Sequence, residues 1–582
     1  MDINLDQQQQ VAVHTESARV LVLAAAGSGK TRTLIERIAY LVEEKNVSCY
    51  EITAFTFTRK AAGEIQSRLV ERLGNKAYKI KMGTMHSLAL EMIQNFGEVI
   101  GLKNKHVTVY GDFEEQFLLK DCALAMGVYN GKSWKPKKGD VDAVFNSYYQ
   151  TGVEPDGLDP VHDLFKAFIA RCKENNSMTY GGLLTGLKLL IPTMKEYVNI
   201  KHIFVDEIQD IDTLQWMIIR EMEEVFSASL YVVGDLDQSI YAWRGAVPEY
   251  LLEHQNEFDI YRLQTNYRSR ASIVNAANKL IANNIDRLPM EMIATREDDL
   301  LCPVEVYKNI DSQKLVEMRL CSDSITSPIY TKPVTVLSRN HALLEKLSML
   351  LEEAHIEHVY IGKETALTNS EEFRRFHAHL KLSVNEFDNF SFLLIKDLMG
   401  ISVADYSEIR RYAAETGQSH FQVWIAKEDI EYPASDRSLA DVLKEMPTLC
   451  KWYFDINPIV DFIEKYIETS PKATVSQYLD WLATIDIQDE IKKEYEGLTL
   501  MTIHAAKGLE RPTVIIAGCN EEIIPSKQAI RNDDIEGERR LMYVAMTRAR
   551  DNLLLTIRPE TTETNGREYV NPESRFIKEA IS

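Results

Sequence analysis

Cysteine is scarce in this chain. Seven are scattered through 582 residues and no two are spaced Cys-x-x-Cys, which argues against a zinc ribbon and against a disulfide framework. Long apolar runs are missing as well: no uninterrupted stretch reaches the roughly 18 residues that suggest a membrane span. The opening Met1-Asp2-Ile3-Asn4-Leu5-Asp6, followed by four glutamines, is polar and acidic and does not read as a signal peptide. These absences fit a reducing, cytoplasmic setting. There is no repeat at solenoid period and no low-complexity tract. Positive charge is in deficit, with 66 Lys and Arg against 87 Asp and Glu, a net charge of −21. That argues mildly against tight, salt-resistant duplex binding, but a locally basic or aromatic groove is enough for a nucleic acid.

What is present is a repeated theme of a short β-branched strand, a polar or small-residue loop and then a helix. Val20–Leu23, Ile52–Phe57, Ile203–Val205, Leu230–Val233, Val334–Leu337, Thr513–Ala517 and Leu553–Thr556 read as buried strands. The chain is long enough for several domains, and the theme predicts an α/β fold of parallel sheets with functional loops at the strands' C-terminal ends. Residues 88–185 and 370–494 break the pattern: they are helix-rich and look like insertions into two lobes. The lobes then comprise residues 1–87 with 186–262, and 263–369 with 495–582. Between Tyr129 and Pro160 the sequence reads as a polar loop with Trp134 among Lys132, Lys135, Lys137 and Lys138. Such a loop either grips a nucleic-acid backbone or is merely solvated.

The most informative stretch is Leu21-Val22-Leu23-Ala24-Ala25-Ala26-Gly27-Ser28-Gly29-Lys30-Thr31. An apolar strand runs into small residues, and Lys-Thr opens a helix. Small residues let backbone N–H groups approach phosphates, Lys30 reaches the terminal ones and the Thr31 hydroxyl suits Mg²⁺. Ala24 stands where the common phosphate-loop pattern has its first glycine. Downstream, Ile203-Phe204-Val205-Asp206-Glu207 sets two carboxylates at a strand end. Asp206 suits Mg²⁺ through water, and Glu207 suits a base that orients and deprotonates an attacking water. Either signal alone is a common turn; together they predict an ATP site.

The next run, Val233-Gly234-Asp235-Leu236-Asp237-Gln238-Ser239-Ile240-Tyr241-Ala242-Trp243-Arg244-Gly245-Ala246, brings a resemblance into view. In order along the chain stand Gln9-Gln10-Val11-Ala12-Val13, Thr56-Phe57-Thr58-Arg59-Lys60-Ala61-Ala62, Gly83-Thr84-Met85-His86-Ser87 and Gln264-Thr265-Asn266-Tyr267-Arg268-Ser269. Met501-Thr502-Ile503-His504-Ala505-Ala506-Lys507-Gly508-Leu509-Glu510 and Glu538–Ala549 complete the series. This ordered set resembles superfamily 1A helicases of the UvrD/Rep/PcrA type, across most of the chain. The resemblance implies two RecA-like parallel-sheet lobes, each with a mainly helical insertion where that family carries accessory domains.

It also implies roles. Gln9 would read adenine, Ala26, Gly27, Ser28, Gly29, Lys30 and Thr31 would cradle the phosphates, Tyr267 and Arg32 would sandwich the base, and Glu510 would meet the ribose. Gln238 would sense the γ-phosphate. Arg268 and Arg548 would reach across the cleft as arginine fingers, each worth about 10³–10⁵ in rate; in isolation either arginine would read as a structural ion pair. Phe57, Tyr241 and Trp243 would form pockets on which bases stack, at about 1–3 kcal/mol per base regardless of sequence. Thr84, His86, Arg244 and His504 would add contacts along the strand. A Trp beside Arg in a Gly-flanked loop is awkward for a core.

Three departures from the family stand out. The second insertion is short, about 125 residues by motif spacing. Where the family places a Gly-Ile-Gly hairpin against duplex DNA, this chain has Gly400-Ile401-Ser402, followed by Asp405 and Glu408. The sequence ends soon after Arg548, leaving no room for a nuclease domain or a long partner-binding tail. The expected activity is an ATP- and Mg²⁺-dependent helicase moving 3′→5′ on single-stranded DNA and its junctions with duplex. The other reading is a DNA-stimulated ATPase that displaces proteins, or that serves a nuclease, repair or defence partner, with little unwinding of its own.

Overall fold

The computed structural model describes residues 5–157, 159–298, 304–317, 333–361, 367–368, 370–428, 432, 436–449, 452–484, 497–559, 561–564, 567–570 and 572–581. Two six-stranded sheets carry the fold, and every neighbouring pair in them is parallel. In the first, the strands lie in the order Lys81–Thr84, Ile52–Thr56, His202–Val205, Ser229–Gly234, Arg19–Ala24 and Asp259–Leu263. In the second the order is Val304–Lys308, Ala549–Ile557, Arg511–Ala517, Val334–Ser338, Leu498–Thr502 and His358–Ile361. The seven strands predicted from β-branched runs all lie in these sheets. Their inner strands are apolar on both faces because helices cover both sides, as parallel sheets require.

The two lobes share apolar contact. Ala25, Ala26 and Ile240 from the first sheet's loops are buried in one cluster with Ile273, Ala277, Tyr543 and Met546 of the second. Ala24, by contrast, is buried in the first lobe's own core with Leu34, Ile38 and Val233. The alanines of the phosphate loop are therefore packing residues, and the glycine freedom is kept for Gly27 and Gly29, whose φ angles are +67° and +80°.

Helices Asp112–Ala125, Lys138–Thr151 and Pro160–Glu174 pack around Phe145, Phe165 and Phe168. Helix Lys138–Thr151 corrects the reading of residues 129–160 as a loop. Its Val141, Phe145 and Tyr148 recur at helical spacing and are buried, a pattern masked by the Gly and Pro that flank it. Trp134 is half-buried, with Tyr129 against its ring and Lys138 over its face. The described residues of 371–484 form seven helices around two further apolar clusters, one with Phe376 and Tyr478, the other with Phe392 and Trp424. Gly400, at φ +75°, turns the chain, and Ser402 caps helix Val403–Thr416 by accepting from the Asp405 backbone N–H. The third residue of that turn thus serves as a helix cap.

These two helical regions meet through buried polar contacts. The Asn385 amide donates to Thr108 Oγ1 and to the Asn175 and Asn176 carbonyls at 2.8–3.0 Å, and Tyr110 Oη donates to Asp388 Oδ1 at 2.6 Å. Phe390 enters the core of the first region. Lys381 Nζ meets Glu114 Oε1 at 2.8 Å. Burial opposes both charges, yet Lys381 holds the Glu114 carboxyl below its usual range and Glu114 holds the Lys381 ammonium above its own. Leaving one charge of such a pair alone costs about 3–5 kcal/mol, whereas an apolar pair of similar volume is often neutral. Lys381→Met should therefore lower stability by about 3 kcal/mol in urea unfolding, and adding Glu114→Leu should restore most of it.

Candidate functional site

The loops that follow the first sheet's strands share one edge, as the C-terminal ends of a parallel sheet do. Strand order sorts them. Thr84 and Phe57 follow the two strands at one side, while Asp206, Asp235 and the phosphate loop follow three adjacent strands toward the other. The candidate DNA residues and the candidate ATP residues are thereby laid side by side.

On the ATP side, Lys30 opens helix Lys30–Glu43 directly after Gly29. Its Nζ lies 3.3 Å from Glu207 Oε2. Glu207 sits in the left-handed region at φ 53° and ψ 45°, a strained position for a residue with a side chain. The Gln209 amide holds the same carboxylate oxygen at 2.5 Å, while Gln209 Oε1 accepts from the Asp235 N–H. Burial works against ionising Glu207, but Lys30 and Lys507 outweigh it and keep the carboxyl low. At Asp206 burial and the Glu207 charge act together and push the carboxyl up. Thr31, next to Lys30 on the first turn of the helix, is half-buried. Among the described residues no cluster of three or more His, Cys, Asp or Glu side chains is arranged to cage a metal. One hydroxyl and one buried carboxylate fit Mg²⁺, which keeps water and takes phosphate oxygens for its remaining positions.

The nucleotide-facing residues are less free than the sequence suggests. Gln9 is buried in helix Gln7–His14; its Nε2 donates to the Ser28 carbonyl at 3.0 Å and its Oε1 accepts from the Asp6 N–H at 3.1 Å. A Cβ on Gly29 would stand 2.8 Å from that amide, and one on Gly27 would stand 2.7 Å from Arg268 Cβ, so neither position tolerates a side chain. Ser28 is buried and donates to the Ala25 carbonyl. Tyr267 is exposed and donates to Asp6 Oδ2; Arg32 is exposed on the first turn of its helix. Glu510, expected at a ribose, instead accepts from Arg268 Nε at 2.8 Å.

Across the cleft, Arg548 is fully buried. Its Nη2 donates to Gln238 Oε1 at 2.9 Å, and Gln238 Nε2 donates to Asp235 Oδ2 at 2.5 Å. Burial, and then Arg268, bring the Arg548 guanidinium down to about 9, which leaves it charged near neutrality. Arg268 also donates to the Thr547 carbonyl, so both arginines lie at one corner of the second lobe.

Lys507 is the residue that sequence reasoning passed over. Its Nζ reaches both carboxylate oxygens of Asp210, at 2.6 and 2.5 Å, and the Gln238 carbonyl at 2.7 Å. It also lies 4.9 Å from the centre of the Tyr241 ring. Burial pushes the Asp210 carboxyl up to about 6, with Lys507 opposing it. Lys507 stands inside a quoted motif and Asp210 three residues past Glu207, but nothing local links positions 297 residues apart.

On the DNA side, Phe57 and Tyr241 stack at 5.1 Å and 16°. Trp243 lies edge-on to Tyr241 and to His504 and is 65% exposed, so it is not a core side chain. Arg244 caps the Trp243 ring at 4.8 Å. At the sheet's edge His86 stacks on Tyr180 at 4.1 Å, which adds an exposed aromatic that no motif announced. Burial brings His86 and His504 down to about 4, so both imidazoles are neutral near pH 7. Thr84 is buried and caps helix Met85–Phe96 through its hydroxyl, which accepts from the Ser87 N–H. The structure therefore brings Phe57, Tyr241, Trp243, Arg244 and His504 together, sets His86 farther along the edge and commits Thr84 to a cap.

Comparison with known proteins agrees with this arrangement. The UvrD/REP helicase N-terminal domain model matches residues 5–259, and the UvrD-like helicase C-terminal domain model matches 261–480 and 453–560. The chain is similar to the ATP-dependent DNA helicase PcrA of Bacillus subtilis (strain 168), with 30% identity across 99% of this chain and 85% of the relative. PcrA of Staphylococcus epidermidis (strain ATCC 12228 / FDA PCI 1200) is 28% identical with 99% and 86% covered, and PcrA of Staphylococcus aureus (strain NCTC 8325 / PS 47) is 27% identical over the same shares. With both halves of the chain matched and both sets of side chains meeting at one cleft, this chain belongs to the UvrD/Rep family of ATP-dependent DNA helicases.

Proposed function

We propose that the chain is a single-strand DNA motor that hydrolyses ATP between its lobes and moves 3′→5′. The observation that supports this most is Lys507, which touches Asp210 and the Gln238 carbonyl on the ATP side and the Tyr241 ring on the DNA side. A shift at either site is felt by the other through that one ammonium. The polarity follows from the family resemblance.

In this reading ATP competes for Lys30. When the ammonium turns to phosphate, Glu207 loses a partner and becomes free to orient and deprotonate water, with Gln209 holding its orientation. Thr31 and Asp206 would hold Mg²⁺, which neutralises phosphate charge when bound. Arg548 and Arg268 supply positive charge to the transferring phosphoryl group from the opposite lobe, and Gln238 of the first lobe accepts from Arg548. Only a γ-phosphate engages both lobes at once, so hydrolysis removes what favours the closed cleft. Bases stack on Phe57, Tyr241 and Trp243 without regard to sequence, as a motor on arbitrary DNA requires. The residues 129–138, with Trp134 among lysines, suit contact with the phosphate backbone near a junction.

Three outcomes test the reading. Lys30→Ala and Glu207→Gln should each cut DNA-stimulated ATP turnover by about 10³-fold or more, while Glu207→Gln still binds nucleotide in a filter assay. Trp243→Ala should spare basal turnover and weaken its stimulation by single strands, with an apparent strand affinity lower by about 5- to 100-fold, as loss of 1–3 kcal/mol predicts. On matched duplexes with one tail, unwinding should proceed from the 3′ tail and not from the 5′ tail. ATP consumption without unwinding from either would favour the partner-dependent ATPase instead.

A further inference from the structure

Next to Gln238 stands Asp237, whose carboxylate is gripped from the second lobe. Arg287 donates to it through Nε at 3.0 Å and Nη2 at 2.5 Å, a two-point fork, and both side chains are buried. Arg287 Nη2 also donates to the Met290 carbonyl. Burial and the neighbouring Asp235 push the Asp237 carboxyl up to about 7, with Arg287 acting the other way.

The segment that carries Arg287 is itself tied down. Glu536 accepts from the Ile285 and Asp286 N–H groups, Arg540 donates to the Asp286 carbonyl, and Arg539 donates to Asn284 Oδ1. All three ties come from helix Ile535–Met546. The same helix ends one residue before Thr547-Arg548, and Arg548 is the side chain that meets Gln238. Two adjacent residues of one first-lobe turn, Leu236–Gln238, are therefore held by a segment tied to one second-lobe helix and by a residue just past that helix.

The two grips differ in kind. Gln238–Arg548 is a single bond between a neutral amide and a cation, and it faces the site where phosphate charge arrives. Asp237–Arg287 is a bidentate ion pair, the geometry in which a guanidinium binds a carboxylate most strongly, and it faces no substrate. Breaking it would leave two buried charges without partners. The first contact is built to exchange and the second to persist.

We propose that the Asp237–Arg287 ion pair is the pivot on which the two lobes turn, a positioning pair that keeps Gln238 in register with Arg548 through each ATP cycle. This rests on the reading of ATP-driven lobe closure given above. Arg287 spends its donors on Asp237 and on the Ile281 and Met290 carbonyls, so its loss should leave ATP affinity in place while misaligning the groups that act in the transition state.

The test is steady-state ATP turnover with saturating single-stranded DNA for the wild type, Arg287→Ala, Arg287→Lys, Asp237→Asn, Arg548→Ala and Arg287→Ala/Arg548→Ala. Arg287→Ala should lower kcat by about 30-fold with KM for ATP within about 3-fold. Arg287→Lys, which lacks the fork, should recover only part of the loss. The double variant should be within about 3-fold of Arg548→Ala, because both act through Gln238. Should Arg287→Ala fail to fold by circular dichroism, Asp237→Asn, neutral and of the same shape, carries the same expectation of lowered kcat at unchanged KM. An unchanged kcat in the folded variant, or losses that multiply in the double variant, would overturn the pivot. A wild type without DNA-stimulated turnover would instead overturn the motor reading on which the pivot rests.

Discussion

A buried lysine joins the two halves of this protein. Taking an ammonium and a carboxylate out of water costs several kcal/mol for each, and only close pairing offsets it. Lys507 and Asp210 meet that condition, but each lobe supplies one of them, so neither lobe is electrostatically complete alone. The apolar contact across the cleft includes Ala25, Ala26 and Ile240 from the first lobe. The rest of the joint is charge and amide: Arg548 on Gln238, Arg287 on Asp237, Asn266 on the Ala26 carbonyl. An interface made this way stays closed while its charges are matched, and it responds when another anion enters and competes for the same cations. A greasier seam would bind as tightly and respond to nothing.

The same economy of charge shapes the strand-binding side. A chain with 21 excess negative charges cannot attract a polyanion by its overall field. What it presents instead is a short row of rings, with Arg244 over Trp243 and Lys507 over Tyr241 as local cations. His86 and His504 are neutral near physiological pH, because burial suppresses their ionisation. Stacking survives salt better than phosphate contacts do, since fewer counterions are released when a strand binds. The acidic surface acts against unselective adhesion to duplex, and the row of rings suits unpaired bases.

Local chemistry was legible in the sequence, and non-local chemistry was not. A phosphate loop is contiguous, so Gly27 to Thr31 could be read directly, and apolar runs marked the inner strands. Lys81–Thr84 escaped because it is a half-buried edge strand of Lys, Met, Gly and Thr with no β-branched run. Leu498–Thr502 escaped because its threonines break the apolar run, although all five residues are buried. Pairings across the cleft leave no trace at all: Lys507 and Asp210 stand 297 residues apart, and nothing local to either announces the other. Gln9, whose residue type suits adenine, also bonds Asp6 and Ser28, contacts visible only in three dimensions. Gly234 belongs to the same class: a Cβ there would lie 2.4 Å from Gln209 Oε1, so the glycine exists to let Gln209 reach both Glu207 and Asp235.

The helical regions bear on how the lobes can move. Residues 371–484 grow from the second lobe, yet at Asp480 they touch Arg59 of the first lobe, which donates to the Asp480 carbonyl, and Gln94 at the start of the first helical region, which donates to the Asp480 carboxylate. Arg59 Nε finds no partner among the described residues, so this contact is incompletely satisfied. Against the first helical region the bonding is far fuller: Asn385 spends its amide on three acceptors, Tyr110 and Asp388 are both fully buried, and Lys381 neutralises Glu114. Local openings begin where few buried bonds must break, and a half-satisfied arginine is cheaper to release than a buried ion pair. The seam at Asp480 thus rests on fewer buried bonds than the one that joins the two helical regions.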